Sequence, residues 1–188
     1  MNKSFFPVST ALFLCAMKVF GTGSDGNLIR NPEFQPDAKG KPSFWSVRGG
    51  KIEEMIVEGS KKGKSAVKMP LVPAKSKAFK FGNVFSQAIT RPAAGTYVIS
   101  VNLSPSRKFV WTQIVLYYKD PETGKWVYLD GGRLKPEDYP KTGEWKKKCY
   151  TVTIPENVRS IGFAVELRDN EPDGFIKIEN PTFILREE

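Results

Sequence analysis

The sequence predicts an all-β protein, an antiparallel sandwich of two sheets, on three observations. From Asn27 onward the chain breaks into short runs rich in β-branched and aromatic residues, punctuated by Gly, Pro, Asn and Asp. The clearest runs alternate apolar and polar residues, and no useful stretch keeps a 3.6-residue period. Roughly nine to eleven such runs suit two packed sheets better than one open sheet. The chain has 188 residues, 40% hydrophobic and 12% aromatic, enough for one domain with a real core.

Composition also excludes chemistry. No histidine is present, which removes the commonest general base and the commonest zinc ligand. Cys15 and Cys149 are too few for a thiolate zinc site or a disulfide framework.

Residues 1–23 read as an export signal. Lys3 is a short basic start, Phe5 to Met17 is largely apolar, and Val19 and Gly21 suit a signal-peptidase site. The apolar run is shorter than the ~20 residues that span a bilayer, so no transmembrane segment is expected. Cys15 is not read as a lipid anchor, because bulky Leu14 precedes it. The domain is therefore 24–188, secreted or periplasmic, and expected to be a monomer. Cys149 is then its sole cysteine, expected as a small buried apolar residue.

Runs near 28–34, 45–48, 51–57, 65–69 and 78–89 are short strands by composition and spacing. In 95–103, Tyr97, Ile99, Val101 and Leu103 share one face, and Val98, Ser100 and Asn102 take the other. Pro105 ends that strand. In 110–118, Ile114, Leu116 and Tyr118 oppose Trp111, Gln113, Val115 and Tyr117. Asp120-Pro121-Glu122-Thr123-Gly124 has hairpin-loop chemistry, and Lys125 to Leu129 returns as its partner. Trp145 to Ile154 is a strand stopped by Pro155. In 160–167, Ile161, Phe163, Val165 and Leu167 point inward, with Gly162, Ala164 and Glu166 outward. The last strand, 175–185, is bent or shifted at Pro181.

Three segments, in order, resemble carbohydrate-binding modules of the galactose-binding-like jelly-roll type. Asn27-Leu28-Ile29-Arg30-Asn31-Pro32-Glu33-Phe34 followed by Trp45-Ser46 is similar to their opening. Phe85 to Ile89 with Ala94 to Ser100 is similar to their central strand pair. Gly143-Glu144-Trp145, Thr153-Ile154-Pro155, Ile161-Gly162-Phe163 and Gly174 to Asn180 match their closing order. The resemblance implies a jelly roll in which Trp45 and Trp145 pack inside or support loops. It also implies a structural calcium site, with Gln35 and Glu179 at the positions that would hold the ion. Gln35 stands where the family often has Glu, so the site loses a charge, whereas calcium favours carboxylates. No other cofactor is expected.

The function implied is binding of a poly- or oligosaccharide without catalysis. Sugars offer flat CH faces and directional hydroxyls, and are met by aromatic rings and planar polar side chains. The outward residues Asn102, Trp111, Gln113, Tyr117, Glu166 and Arg168 supply that mixture. They line one groove if their strands share a sheet, and small Gly162 and Ala164 leave room for a chain. Trp126 and Tyr128 follow the hairpin and read either way.

Lysines gather at 61–64, at 75, 77 and 80, and at 146–148. They would suit an anionic glycan or an acidic cell surface, but the simpler reading, preferred here, is solvated loops and strand edges where Lys discourages pairing. No nucleic-acid motif is present and none is expected as partner. Glu166 with Asp169 is a conceivable hydrolytic pair, but neighbouring acids at a turn are usually solvated. The alternatives are a protein-binding structural or adhesion domain and a small polysaccharide lyase or hydrolase.

Overall fold

Pairing between strands far apart in sequence builds the molecule. The computed structural model describes residues 26–48, 51–70, 83–90, 92–107, 111–133, 139–168 and 174–186, with 83, 84, 111, 130–133 and 168 described by their backbone alone. The segment 1–23, Lys75, Lys77, Lys80 and Asp169 lie outside the described residues. The described strands are β1 Ser46–Arg48, β2 Ile56–Glu58, β3 Ser65–Pro70, β4 Asn83–Thr90 and β5 Gly95–Pro105. They continue as β6 Trp111–Lys119, β7 Trp126–Arg133, β8 Lys146–Ile154, β9 Ser160–Arg168 and β10 Phe175–Leu185. A single turn of 3-10 helix, Ile52–Glu54, precedes β2.

Two five-stranded antiparallel sheets result, ordered β1-β4-β9-β6-β7 and β2-β3-β10-β5-β8. Only β2–β3 and β6–β7 are neighbours in both sequence and sheet. From β3 to β10 every other connection crosses between sheets, which gives a jelly roll instead of a meander.

The core lies where the inward rows of the two sheets meet. Tyr97, Ile99, Val101 and Leu103 of β5 are buried, as are Ile161, Phe163, Val165 and Leu167 of β9. The expected alternation therefore holds in both strands. Trp45 is buried too, stacked on Phe85 at 4.2 Å and 9°, with Phe34 and Phe163 tilted or edge-on around it. Its indole Nε1 donates to the Asn31 carbonyl at 2.9 Å, so the polar end of the ring is satisfied. Trp145 is half-buried before β8.

The run at 28–34 is not a strand. The Asn27 to Ile184 bridge and the Leu28 N–H to Phe183 carbonyl bond tie its start to β10, and side-chain amides hold Ile29 and Arg30. Buried Gln87 accepts from the Arg30 N–H and donates to the Arg30 carbonyl, both at 2.8 Å, mimicking a ladder pair. At the other end β10 shifts register between Glu179 and Thr182, as expected for a strand carrying Pro181, which has no N–H to give.

Cys149 corrects an expectation: it is exposed. β8 is the outer strand of its sheet, and Cys149 falls on the solvent side of it, in phase with exposed Lys147 and Thr151.

Candidate functional site

The outer face of the β1-β4-β9-β6-β7 sheet gathers the chemistry. Antiparallel register aligns residues in rows across its strands. One row joins Arg48, Val84, Glu166, Gln113 and Arg133. The next joins Ser46, Ser86, Ala164, Val115 and Asp130, and the third Ala88, Gly162, Tyr117 and Tyr128. Trp126, opposite Lys119, closes the hairpin end.

The floor is low because its residues are small. Serine, alanine and glycine at 86, 88, 162 and 164 leave a trough, and the rings of β6 and β7 rise beside it. Two adjoining hollows fill this trough, about 570 and 550 Å³ in volume, with Tyr117 and Trp126 in the wall of each. The Tyr117 ring lies across Gly162 and occupies the space that a Cβ there would need. Trp126 meets that ring edge-on at 5.7 Å, and Tyr128 is tilted to it at 6.2 Å. Trp126 and Tyr128 are 59% and 67% exposed, large apolar surfaces left open to a partner.

The polar row is unlike an ordinary solvated face. Glu166 is only 9% exposed, yet lines the trough beside Gln113 and Arg48. Burial raises the pKa of its carboxyl, and the Arg48 guanidinium offsets this only in part. Burial also raises the Tyr117 phenol, the Glu166 charge adds to that, and Arg48 opposes it. At the far end Lys119 and Arg159 stand beside the Asp120 turn.

Of the expected site residues, Gln113, Tyr117 and Glu166 come together here. Trp111 and Arg168 pair backbone to backbone at the end of the same strands, and their side chains lie outside the described residues. Asn102 is a correction. It lies on β5, in the other sheet, and faces outward beside Lys147 on the opposite side of the sandwich. Alternation had placed it correctly on its strand; the crossing from β5 to β6 separates it from the groove. Arg48, Trp126 and Tyr128 are the additions. The signal for the two aromatics was the hairpin: the turn at 120–125 sets Lys119 opposite Trp126 and Tyr117 opposite Tyr128.

Gln35 and Glu179 do line one hollow, of about 40 Å³, with Lys64 and Asn180. The Glu179 carboxylate is already engaged there, accepting from the Ser60 N–H at 2.6 Å and the Ser60 hydroxyl at 2.8 Å. No cluster of three or more His, Cys, Asp or Glu occurs among the described residues. A calcium ion needs ~6–8 oxygen ligands. The hollow offers two carboxylates, Glu33 and Glu179, and the amide oxygens of Gln35 and Asn180.

No protein-family model and no curated protein matches the chain. Solved structures do. TmCBM61, determined in complex with beta-1,4-galactotriose, superposes at a TM-score of 0.54 with 20% identity, covering 85% of this chain and 99% of that one. A CBM4 structure gives 0.57 at 15% identity, over 84% of this chain and 99% of the other. The CBM22-1 xylan-binding domain of Xyn10C from Paenibacillus barcinonensis gives 0.55 at 15%, over 86% and 96%. The chain thus has the β-sandwich jelly-roll fold of carbohydrate-binding modules.

Proposed function

We propose that this protein is a non-catalytic carbohydrate-binding domain that takes a poly- or oligosaccharide along the trough of the β1-β4-β9-β6-β7 sheet. The observation that carries this reading is the three-ring wall of Tyr117, Trp126 and Tyr128 beside a floor of glycine and alanine. Such rings take the CH faces of a sugar, while Gln113 and Glu166 address its hydroxyls. That the similar structures include a galactotriose complex and a xylan-binding domain supports the same class of ligand. The groove argues for binding over turnover. Its buried carboxyl is Glu166; Asp120 lies at the far end, engaged with the N–H groups of Glu122 and Thr123 in its own turn.

Affinity electrophoresis through gels of soluble β-glucan, galactan, xylan and mannan tests the reading. At least one polymer retards the protein, and Trp126→Ala abolishes the retardation. Unretarded migration in every gel, with a protein partner recovered instead, would favour an adhesion domain. Released sugar would show an enzyme. The domain acts outside the cell, with 1–23 as its signal. Mass spectrometry of the exported product then gives an N-terminus between Thr22 and Asp25; an intact Met1 would overturn the assignment.

A further inference from the structure

We infer that the groove selects neutral, hydroxyl-bearing glycans and rejects uronates, and that Glu166 on its floor is the selecting residue. The inference rests on the glycan-binding reading above. It runs against the simplest expectation from charge, since the whole chain carries a formal +9 and would attract acidic polymers.

Three facts about Glu166 carry it. The residue is nearly buried, yet it lines the trough. It stands on the central strand β9, flanked in register by Gln113 of β6 and Val84 of β4, so a chain running along the floor must pass it. Its charged neighbour among the described residues is Arg48, whereas the Glu179 carboxylate is held by two hydrogen bonds from Ser60. A carboxylate accepts and cannot donate. With water displaced by a ligand, it must find donors on that ligand or stand as a buried charge that Arg48 offsets only in part. Sugar hydroxyls are such donors. A uronate would set a second carboxylate against the first in a partly desolvated site, where repulsion is much stronger than in water.

Arg48 faces Glu166 from β1, and its guanidinium does not outweigh the cost of burial. Gln113 and Tyr117, the other groups facing the carboxyl, are neutral. Arg168 and Arg133 are near in backbone register. Lys119 and Arg159 are at the hairpin end, two register rows and more from Glu166.

The test is a matched pair of ligands. Each neutral polymer that retards the full-length mature protein is oxidised at its primary alcohols to the polyuronate, xylan being replaced by its glucuronic acid-substituted form. Binding of parent and product is then compared at pH 7.5. The parent is expected to bind at least tenfold more tightly. Glu166→Gln should shrink that ratio to about threefold or less, because an amide brings no charge and can donate to a carboxylate. Lowering the pH to 5 should narrow the wild-type ratio while leaving the ratio of the variant nearly constant. Equal or tighter binding of the polyuronate by wild type would overturn the inference while leaving the function intact. So would discrimination that survives Glu166→Gln in a folded variant. Absence of binding to every polymer, parent and product alike, would instead remove the function and the inference together.

Discussion

A glycine explains the attitude of the most central ring. Tyr117 lies flat across β9 only because Gly162 has no side chain to lift it. Gly162→Ala should turn the ring out of the trough, since the atoms in the way are the far end of a surface side chain that can swing. Alanine is otherwise the better strand residue, by about 0.5–1 kcal/mol. The expected result is a loss of about tenfold in glycan affinity, or ~1.4 kcal/mol, with stability unchanged or slightly raised. Affinity equal to wild type in a titration would mean that the ring position does not matter. Much of this was legible at the level of single residues. Strict alternation put Gln113, Tyr117 and Glu166 outward, with Gly162 and Ala164 under them, and all five are there. Alternation could not reveal that a ring on one strand needs a missing Cβ on the next, because that contact is set by register between strands. The same rule, applied to edge strand β8, would have exposed Cys149; hydrophobic character alone suggested the opposite.

The β6–β7 hairpin is the element that assembles the aromatic wall. Its loop is fixed by Asp120, whose carboxylate accepts from the N–H groups of Glu122 at 2.8 Å and Thr123 at 3.0 Å. Gly124 then turns the chain at a φ of +66°, a conformation that glycine adopts without strain. A Cβ at Gly124 would meet nothing closer than the Lys119 Cε at 3.9 Å, so the cost of replacing it is conformational and not steric crowding. Gly124→Ala is therefore expected to lose about 1–2 kcal/mol, a few degrees of melting temperature, with Gly124→Asn losing less. Equal melting of Gly124→Ala and wild type would contradict the loop geometry. The hairpin was readable in sequence because its turn chemistry is local. Sheet membership was not. Composition shows where β5 begins and ends, and which side of it is apolar, but its partners β8 and β10 lie far along the chain. Asn102 was placed in the groove for that reason alone. The 28–34 run failed differently: past the Leu28 N–H, which bonds the Phe183 carbonyl, Ile29 and Arg30 are held by the side-chain amides of Asn27 and Gln87, which no strand pattern encodes.

At the scale of the whole molecule, the two faces of the sandwich have different characters. One carries the trough, three clustered rings and a buried carboxyl. The other presents Asn102, Lys147, Lys177 and Thr151, a surface of hydroxyls, amides and lysines. The jelly roll and its two-sheet core were legible from ordered strand segments, and the similar solved structures share that fold. Which face binds is a matter of how the strands cross, so it is the point to measure. Amide chemical-shift mapping of the isotope-labelled domain, titrated with an oligosaccharide of the retarding polymer, addresses it directly. The shifts should concentrate on β6, β7 and β9, at Gln113, Tyr117, Trp126, Tyr128, Gly162 and Glu166, and leave Asn102, Lys147 and Cys149 unmoved. Perturbations gathered instead around Asn102 and Lys147 would put the ligand on the opposite sheet and contradict the account.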